Sequence, residues 1–345
     1  MSDQPTAQPA PDPTGQPSAY PGVSVVMPVL DEERHLRQAV TRVLDQDYPG
    51  PVEVVVALGP SRDRTDEVAG ALAAEDPRVR LVPNPTGATG AGLNRAVAAT
   101  SYDVVVRLDG HALVPPDYVR VAVETLTRTG ADNVGGVMAA AGDTDFERAV
   151  AAAMTSPIGV GQASFHTGGV EGPAPTVYLG VFRKEVLERL GGYDESFLRA
   201  QDWELNHRIR EGGGLVWFTP LLTVSYRPRS TLRALARQYR DYGRWRRVVM
   251  REHEGTANLR YLAPPATVLA VVAGAAVGLT VWRPALLAPL GYAAGILVGS
   301  ALVGRGLPWA ARAWLPVVLP TMHGAWGIGF LTSPRGLRAR PPERR

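Results

Sequence analysis

An aspartate and a histidine stand two residues apart at the end of a valine-rich run, DVVVRLDGH, which places Asp109 and His111 just beyond Val104, Val105 and Val106. Alternate side chains of an extended segment project to one side, so a carboxylate and an imidazole at this spacing can share one divalent cation. Such a cation can hold a diphosphate ester. The plainer reading is a turn aspartate beside a surface histidine. A second acidic pair, Asp202 and Glu204, lies in LGGYDESFLRAQDWELNHRIREGG, ahead of a helical pattern that ends at Gly212. An aspartate at a helix entrance is ordinarily a cap, and beside a reacting hydroxyl it is also a proton acceptor.

The elements that must position these residues follow from the hydrophobic pattern. Between residue 23 and about residue 228, short β-branched runs alternate with helical patterns, the signature of a mainly parallel α/β sheet with helices on both faces. Residues 23–27, 52–58, 79–82 and 104–108 are the expected first four strands, and LVWFTP is a later one. Ligands in open α/β sheets gather beyond the carboxyl ends of the strands, so residues 28–32, 58–63 and 109–111 are expected to converge on one crevice. The glycine-rich PTGATGAGLNRAV could bind an anion at a helix start. It lacks the Lys-Ser/Thr of a P-loop and does not follow the first strand, which sets aside the P-loop and dinucleotide readings. The stretch SFHTGGVEGPAPTVYLGVFRKEVL reads as loop-rich and is expected to act as a lid over part of the site. His166 within it could serve as an additional metal or phosphate ligand, but a lone loop histidine is more often simply solvated.

Three motifs carry a resemblance to a known family: VSVVMPVLDEERHLRQAV with Pro28 and Glu32, LDGH with Asp109 and His111, and AQDWEL with Asp202. In this order, over residues 23–245, the chain resembles the inverting family-2 glycosyltransferases of the GT-A fold, and within them the membrane-anchored succinoglycan-elongating type. The resemblance implies a nucleotide-sugar donor near Pro28, Val29, Asp31, Glu32, Leu58, Asn94 and Asp109. It implies Mg²⁺ or Mn²⁺ on Asp109 and His111, with Asp202 as catalytic base. Tyr193, Glu204, Gln238, Arg244 and Trp245 are implied on the acceptor or membrane-proximal side. The chain also departs from the family pattern: Asp31 replaces an Asn, and Gln201 a Glu. Ala57 and Leu58 stand where carboxylates usually end the second strand, which removes a hydrogen-bond acceptor for the nucleobase. Gln238 lies one turn too early relative to Arg244-Trp245 for the Gln-x-x-Arg-Trp pattern of processive synthases.

Composition divides the chain further. Residues 1–21 are Pro-rich, contain no apolar segment, and read as a disordered tail rather than a secretory signal. Residues 22–228 are the expected catalytic domain. Residues 229–258 form a basic amphipathic helix region with Leu232, Leu235, Tyr239, Tyr242 and Val249 near one face, expected to lie against anionic lipid rather than nucleic acid. Residues 259–332 are a membrane domain of two or three hydrophobic helices, followed by a basic tail at 333–345. The absence of cysteine excludes disulfides and Cys-ligated zinc. The resulting expectation is a non-processive enzyme of the inner membrane, multi-pass, with its catalytic domain cytoplasmic and a lipid-linked or envelope glycan as acceptor. The competing reading is a non-catalytic membrane scaffold, favoured by Ala57, Leu58 and Gln201 and opposed by the joint presence of Asp109 and Asp202.

Overall fold

The computed structural model describes residues 20–337; the expected N-terminal tail, apart from its last two residues, and most of the C-terminal basic tail lie outside them. The chain begins with three strand-helix units: β1 (Val23–Val29), α1 (Leu36–Leu44), β2 (Val52–Leu58), α2 (Thr65–Glu75), β3 (Val79–Pro83) and α3 (Thr89–Ala98). Then come β4 (Val104–Arg107), α4 (Tyr118–Thr129), β5 (Asn133–Ala140), α5 (Asp145–Met154) and two single-turn helices, α6 (Pro157–Val160) and α7 (Ser164–Thr167). The sheet-forming half closes with β6 (Gly172–Pro173), β7 (Tyr178–Arg183), α8 (Lys184–Arg189), α9 (Gln201–Glu211) and β8 (Val216–Tyr226).

The eight strands form one sheet in the order β3-β2-β1-β4-β7-β5-β8-β6. β1, β2, β3 and β4 pair in parallel, while β7 runs antiparallel to both β4 and β5. Val25, Val54, Val56, Val104 and Val106 pack on one face, and Val26, Val55 and Val105 on the other. Burial on both faces is why these strands read as continuous β-branched runs. The chain winds outward through β2 and β3, then returns across β1 to β4. The connections leaving β1 and β4 therefore diverge, opening a crevice at the carboxyl ends of these two strands.

The lid expected from SFHTGGVEGPAPTVYLGVFRKEVL is replaced in its second half by β7, whose Leu179, Val181 and Phe182 are fully buried in the middle of the sheet. Its neighbour β5 also lies outside the strands expected from the sequence. Gly135 and Gly136 dilute its pattern, and a register irregularity falls at the same place.

Five further helices follow: α10 (Leu232–Glu252), α11 (Leu259–Thr280), α12 (Leu287–Val303, entered through a 3₁₀ turn at Arg283–Leu286), α13 (Trp309–Arg312) and α14 (Leu315–Leu331). α11 has 22 residues and the segment Arg283–Val303 has 21, about 30 Å each at 1.5 Å per residue, which matches the thickness of a bilayer core. Both leave large apolar side chains exposed, among them Leu269, Val272, Leu279, Leu290, Leu297 and Leu302. α14 is different. It lies along α10, burying Val318, Leu319, Met322 and Phe330. The apolar face of α10 is thus covered by protein: Leu235, Tyr239, Trp245, Val248 and Val249 are buried, and Leu232 and Tyr242 remain partly exposed.

Candidate active site

The loop after β1 is built by interlocking with the loop after β2. Asp31 takes a left-handed conformation, φ 57°, which Asn and Asp tolerate better than most residues. Its Oδ1 accepts from the Arg62 amide at 2.7 Å, and its own amide donates to Ser61 Oγ at 3.1 Å. The Glu32 amide donates to Thr65 Oγ1 at 2.7 Å, and the Glu33 amide to Asp63 Oδ2 at 3.1 Å. Ser61, Asp63 and Thr65 therefore shape the wall of the crevice, fixing Pro28, Val29, Asp31 and Glu32 on one side. Leu58, half-buried at the end of β2, continues that wall.

Asp109 and His111 leave β4 on the opposite wall. His111 Nδ1 lies 2.6 Å from Glu32 Oε1, which ties the two walls together. The hydrogen bond to Glu32 raises the imidazole pKa above its ordinary value against the effect of burial, and Asp109 adds to the shift. Between the walls lies a residue that the sequence reading missed, Arg107. It is buried at the end of β4, donates from Nη2 to Asp109 Oδ1 at 3.3 Å, and makes a close ion pair through Nη1 with Asp202 Oδ1. Its guanidinium lies 5.9 Å from the centroid of the buried Tyr193 ring. A lone arginine inside a run of valines was the available signal, because a buried guanidinium demands partners.

Asp202 enters from α9. The helix starts after Ala200, itself left-handed at φ 63°, and carries Asp202 in its first turn. Gln201 is buried beside it, its amide donating to the Leu198 carbonyl at 3.3 Å. Glu204 does not reach the crevice: its carboxylate is buried, bound by Arg208 at 2.6 and 2.7 Å and 3.7 Å from His253 Nε2. Two residues along a helix point about 200° apart, so Asp202 and Glu204 face different surroundings.

Asn94 on α3 grips the chain leading to α9. Its side-chain amide donates to the Tyr193 carbonyl at 2.9 Å and to Glu195 Oε1 at 3.1 Å, and its carbonyl accepts from the Tyr193 amide at 2.8 Å. Both ends of this amide are used within the protein, which makes Asn94 an anchor for the Gly192–Glu195 turn. Trp245 packs on Phe197 in the same connection, ring centroids 5.8 Å apart. Gln238 donates to the Tyr226 and Tyr242 hydroxyls at 2.7 and 2.8 Å. The Arg244 carbonyl accepts from Ser333 Oγ at 2.9 Å. These three therefore brace α10 against the sheet, the α9 approach and the end of α14.

Among the described residues no group of three or more His, Asp or Glu side chains is arranged to hold a metal ion. Asp109 and His111 still suit an ion that arrives with its substrate, since hard cations commonly take one or two protein ligands and complete their shell with phosphate oxygens and water.

Residues 24–191 match the family described as Glycosyl transferase family 2. The chain is 34% identical over 311 residues to the succinoglycan biosynthesis protein ExoA of Rhizobium meliloti, covering 89% of this chain and 93% of that protein. It is 24% identical over 253 residues to a dolichyl N-acetyl-alpha-D-glucosaminyl phosphate diacetamido-dideoxy-glucuronosyltransferase of Methanococcus voltae, covering 70% and 77% of the two chains. Among solved structures, the mannosyltransferase PcManGT of Pyrobaculum calidifontis, in complex with GDP-Man and Mn²⁺, superposes with a TM-score of 0.63 at 23% identity. The match covers 94% of this chain and 89% of that one, and it shows the GT-A fold.

Proposed function

The chain belongs to glycosyl transferase family 2, and we propose that it is a membrane-anchored, inverting, non-processive enzyme that moves a sugar from a nucleotide-sugar donor to a lipid-linked or envelope glycan acceptor. The observation that carries this reading is the meeting of Asp109 and Asp202 across Arg107 at the crevice where the strand order reverses. Asp109 and His111 would hold Mg²⁺ or Mn²⁺, which when bound compensates negative charge on the departing nucleotide. The loop of Pro28 to Glu32 and the end of β2 receive the donor. Asp202 takes the proton of the acceptor hydroxyl as that oxygen attacks the anomeric carbon from the face opposite the nucleotide. Arg107 holds the Asp202 carboxylate toward the crevice. The dolichyl N-acetylglucosaminyl phosphate in the name of the Methanococcus relative, and the GDP-Man and Mn²⁺ bound to the Pyrobaculum neighbour, support the acceptor and donor classes.

α11 and α12 form the anchor, crossing the inner membrane as a hairpin with the catalytic domain on the cytoplasmic side. Arg233, Arg237 and Arg240 stay exposed on α10, available to anionic headgroups. The test is nucleotide release by purified protein with Mn²⁺ across a panel of nucleotide sugars. Release from at least one donor is expected, with loss of metal-dependent donor binding in Asp109→Ala. Absence of release from every donor, or undiminished Mn²⁺-dependent binding in the variant, rejects the reading.

A further inference from the structure

At the junction of α9, α10, α11 and the α6–α7 loop, two arginines are packed without an acidic partner. The Arg246 guanidinium lies 4.7 Å from the Trp203 ring centroid and 4.1 Å from that of Tyr261. Its Nη1 is shut off from solvent and has no hydrogen-bond partner. Arg260, in the first turn of α11, lies 5.5 Å from the same Tyr261 centroid. It donates from Nε to the Val160 carbonyl at 3.0 Å and from Nη1 to the Gln162 carbonyl at 3.5 Å. Gly161 permits this approach: its φ is 69°, and a Cβ there would stand 3.1 Å from the Arg260 side chain. Among the described residues neither guanidinium pairs with a carboxylate. His166 Nδ1, also shut off and unpartnered, belongs to the same junction. Burial, reinforced by the charge of Arg260, lowers the His166 pKa to about 3, so the ring is neutral.

Aromatic faces soften the cost of a buried cation but do not neutralise it. Two like charges held together at half-buried positions suit an anion, and the planar guanidinium fork matches phosphate oxygens. The position narrows the choice. Trp203 directly follows Asp202 in α9, and Arg260 opens the first apolar helix, so the junction lies between the proton acceptor and the membrane anchor. A lipid-linked sugar carries phosphate at this point, between tail and sugar.

We propose that Arg246 and Arg260 form a binding site for the phosphate or diphosphate of a lipid-linked acceptor, with the lipid tail running along α11 and the sugar reaching toward Asp202. This rests on the lipid-linked reading of the acceptor given above. It is tested on the full-length protein in phosphatidylcholine nanodiscs by calorimetric titration with farnesyl diphosphate, farnesol and inorganic diphosphate. Farnesyl diphosphate is expected to bind at least tenfold more tightly than either of the others. Arg246→Gln and Arg260→Gln should each weaken it tenfold or more and leave farnesol binding and acceptor-independent nucleotide release unchanged, while Arg246→Lys should retain part of the affinity. Equal binding of farnesyl diphosphate by parent and both glutamine variants, with unaltered unfolding temperatures, overturns the site. Equal binding of inorganic diphosphate shows a free-anion site, and displacement by phosphatidylglycerol placed in the disc shows a headgroup site; either result overturns the acceptor assignment. Nucleotide release by the parent reports separately on the glycosyltransferase reading, so the two can fail independently.

Discussion

Arg107 is the residue on which the acidic groups of the crevice converge, one carboxylate from the loop just after its strand and one from a helix about 95 positions later. If Asp202 is the base, Asp202→Asn keeps the side-chain shape and removes the proton acceptor. Turnover should fall by about 10²–10⁴-fold with donor affinity little changed, as read by single-turnover nucleotide release beside donor titration. Arg107→Met removes the shared cation and leaves two facing carboxylates. Breaking a buried pair typically costs about 3–5 kcal/mol; the low end applies here, because Asp109 and Asp202 keep 26% and 27% of their side-chain surface. Thermal unfolding of this variant beside the parent measures that loss. Asp109 and His111 stood out as candidates from residue type and spacing, and Asp202 from the family resemblance. The contact between Arg107 and Asp202 was not legible, because nothing local relates β4 to α9.

At the level of elements, Glu53 ties together β1, β2 and the approach to β4. Its carboxylate accepts from Ser24 Oγ at 2.7 Å, from the Ser101 amide at 2.6 Å and from Ser101 Oγ at 3.0 Å. Burial would raise its pKa, but these donors, together with Arg80, hold it below the ordinary value. A depressed folded-state pKa stabilises above the unfolded value, about 4.3, and that contribution is lost as pH falls through the folded value. Glu53→Gln should therefore destabilise by about 1–3 kcal/mol near neutral pH, with the difference from the parent shrinking below about pH 4 in denaturant titrations. The α10–α14 contact has a different basis, close approach. A Cβ on Gly243 would collide with the Trp326 carbonyl, so Gly243→Leu should lower stability by about 1–3 kcal/mol or more, measured as a reduced unfolding temperature in detergent. β1, β2 and β4 were readable because each is a β-branched run buried on both faces, and the half-exposed edge strand β3 from its short Val-Arg-Leu-Val run between polar segments. β5 and β7 were not, since glycines interrupt both and their place in the sheet is set by pairing with distant strands.

For the whole molecule, the hairpin proposed for α11 and α12 predicts that the α11–α12 turn and the end of α14 lie on opposite sides of the bilayer. The parent has no cysteine, so Arg283→Cys and Arg335→Cys, both at exposed positions, report topology without background. In intact cells an impermeant thiol reagent should label the first and spare the second; ready labelling of Arg335→Cys would mean that α14 is a third full crossing. Charge asymmetry around the spans motivates this expectation, and α14 lying along α10 instead of beside α11 over its full length agrees with it. The sequence by itself determined the strand-helix alternation, the metal and base candidates and the two long apolar segments, because each is written in residues close together in the chain. Only the tertiary structure decided that Glu204 is an internal ion-pair partner, that Asn94 anchors the turn before α9, that the apolar face of α10 is covered by α14 and by Phe197 and Trp203, and that Arg246 and Arg260 share one tyrosine. Those outcomes depend on which distant surfaces meet, and side-chain periodicity specifies that a face is buried without specifying what buries it.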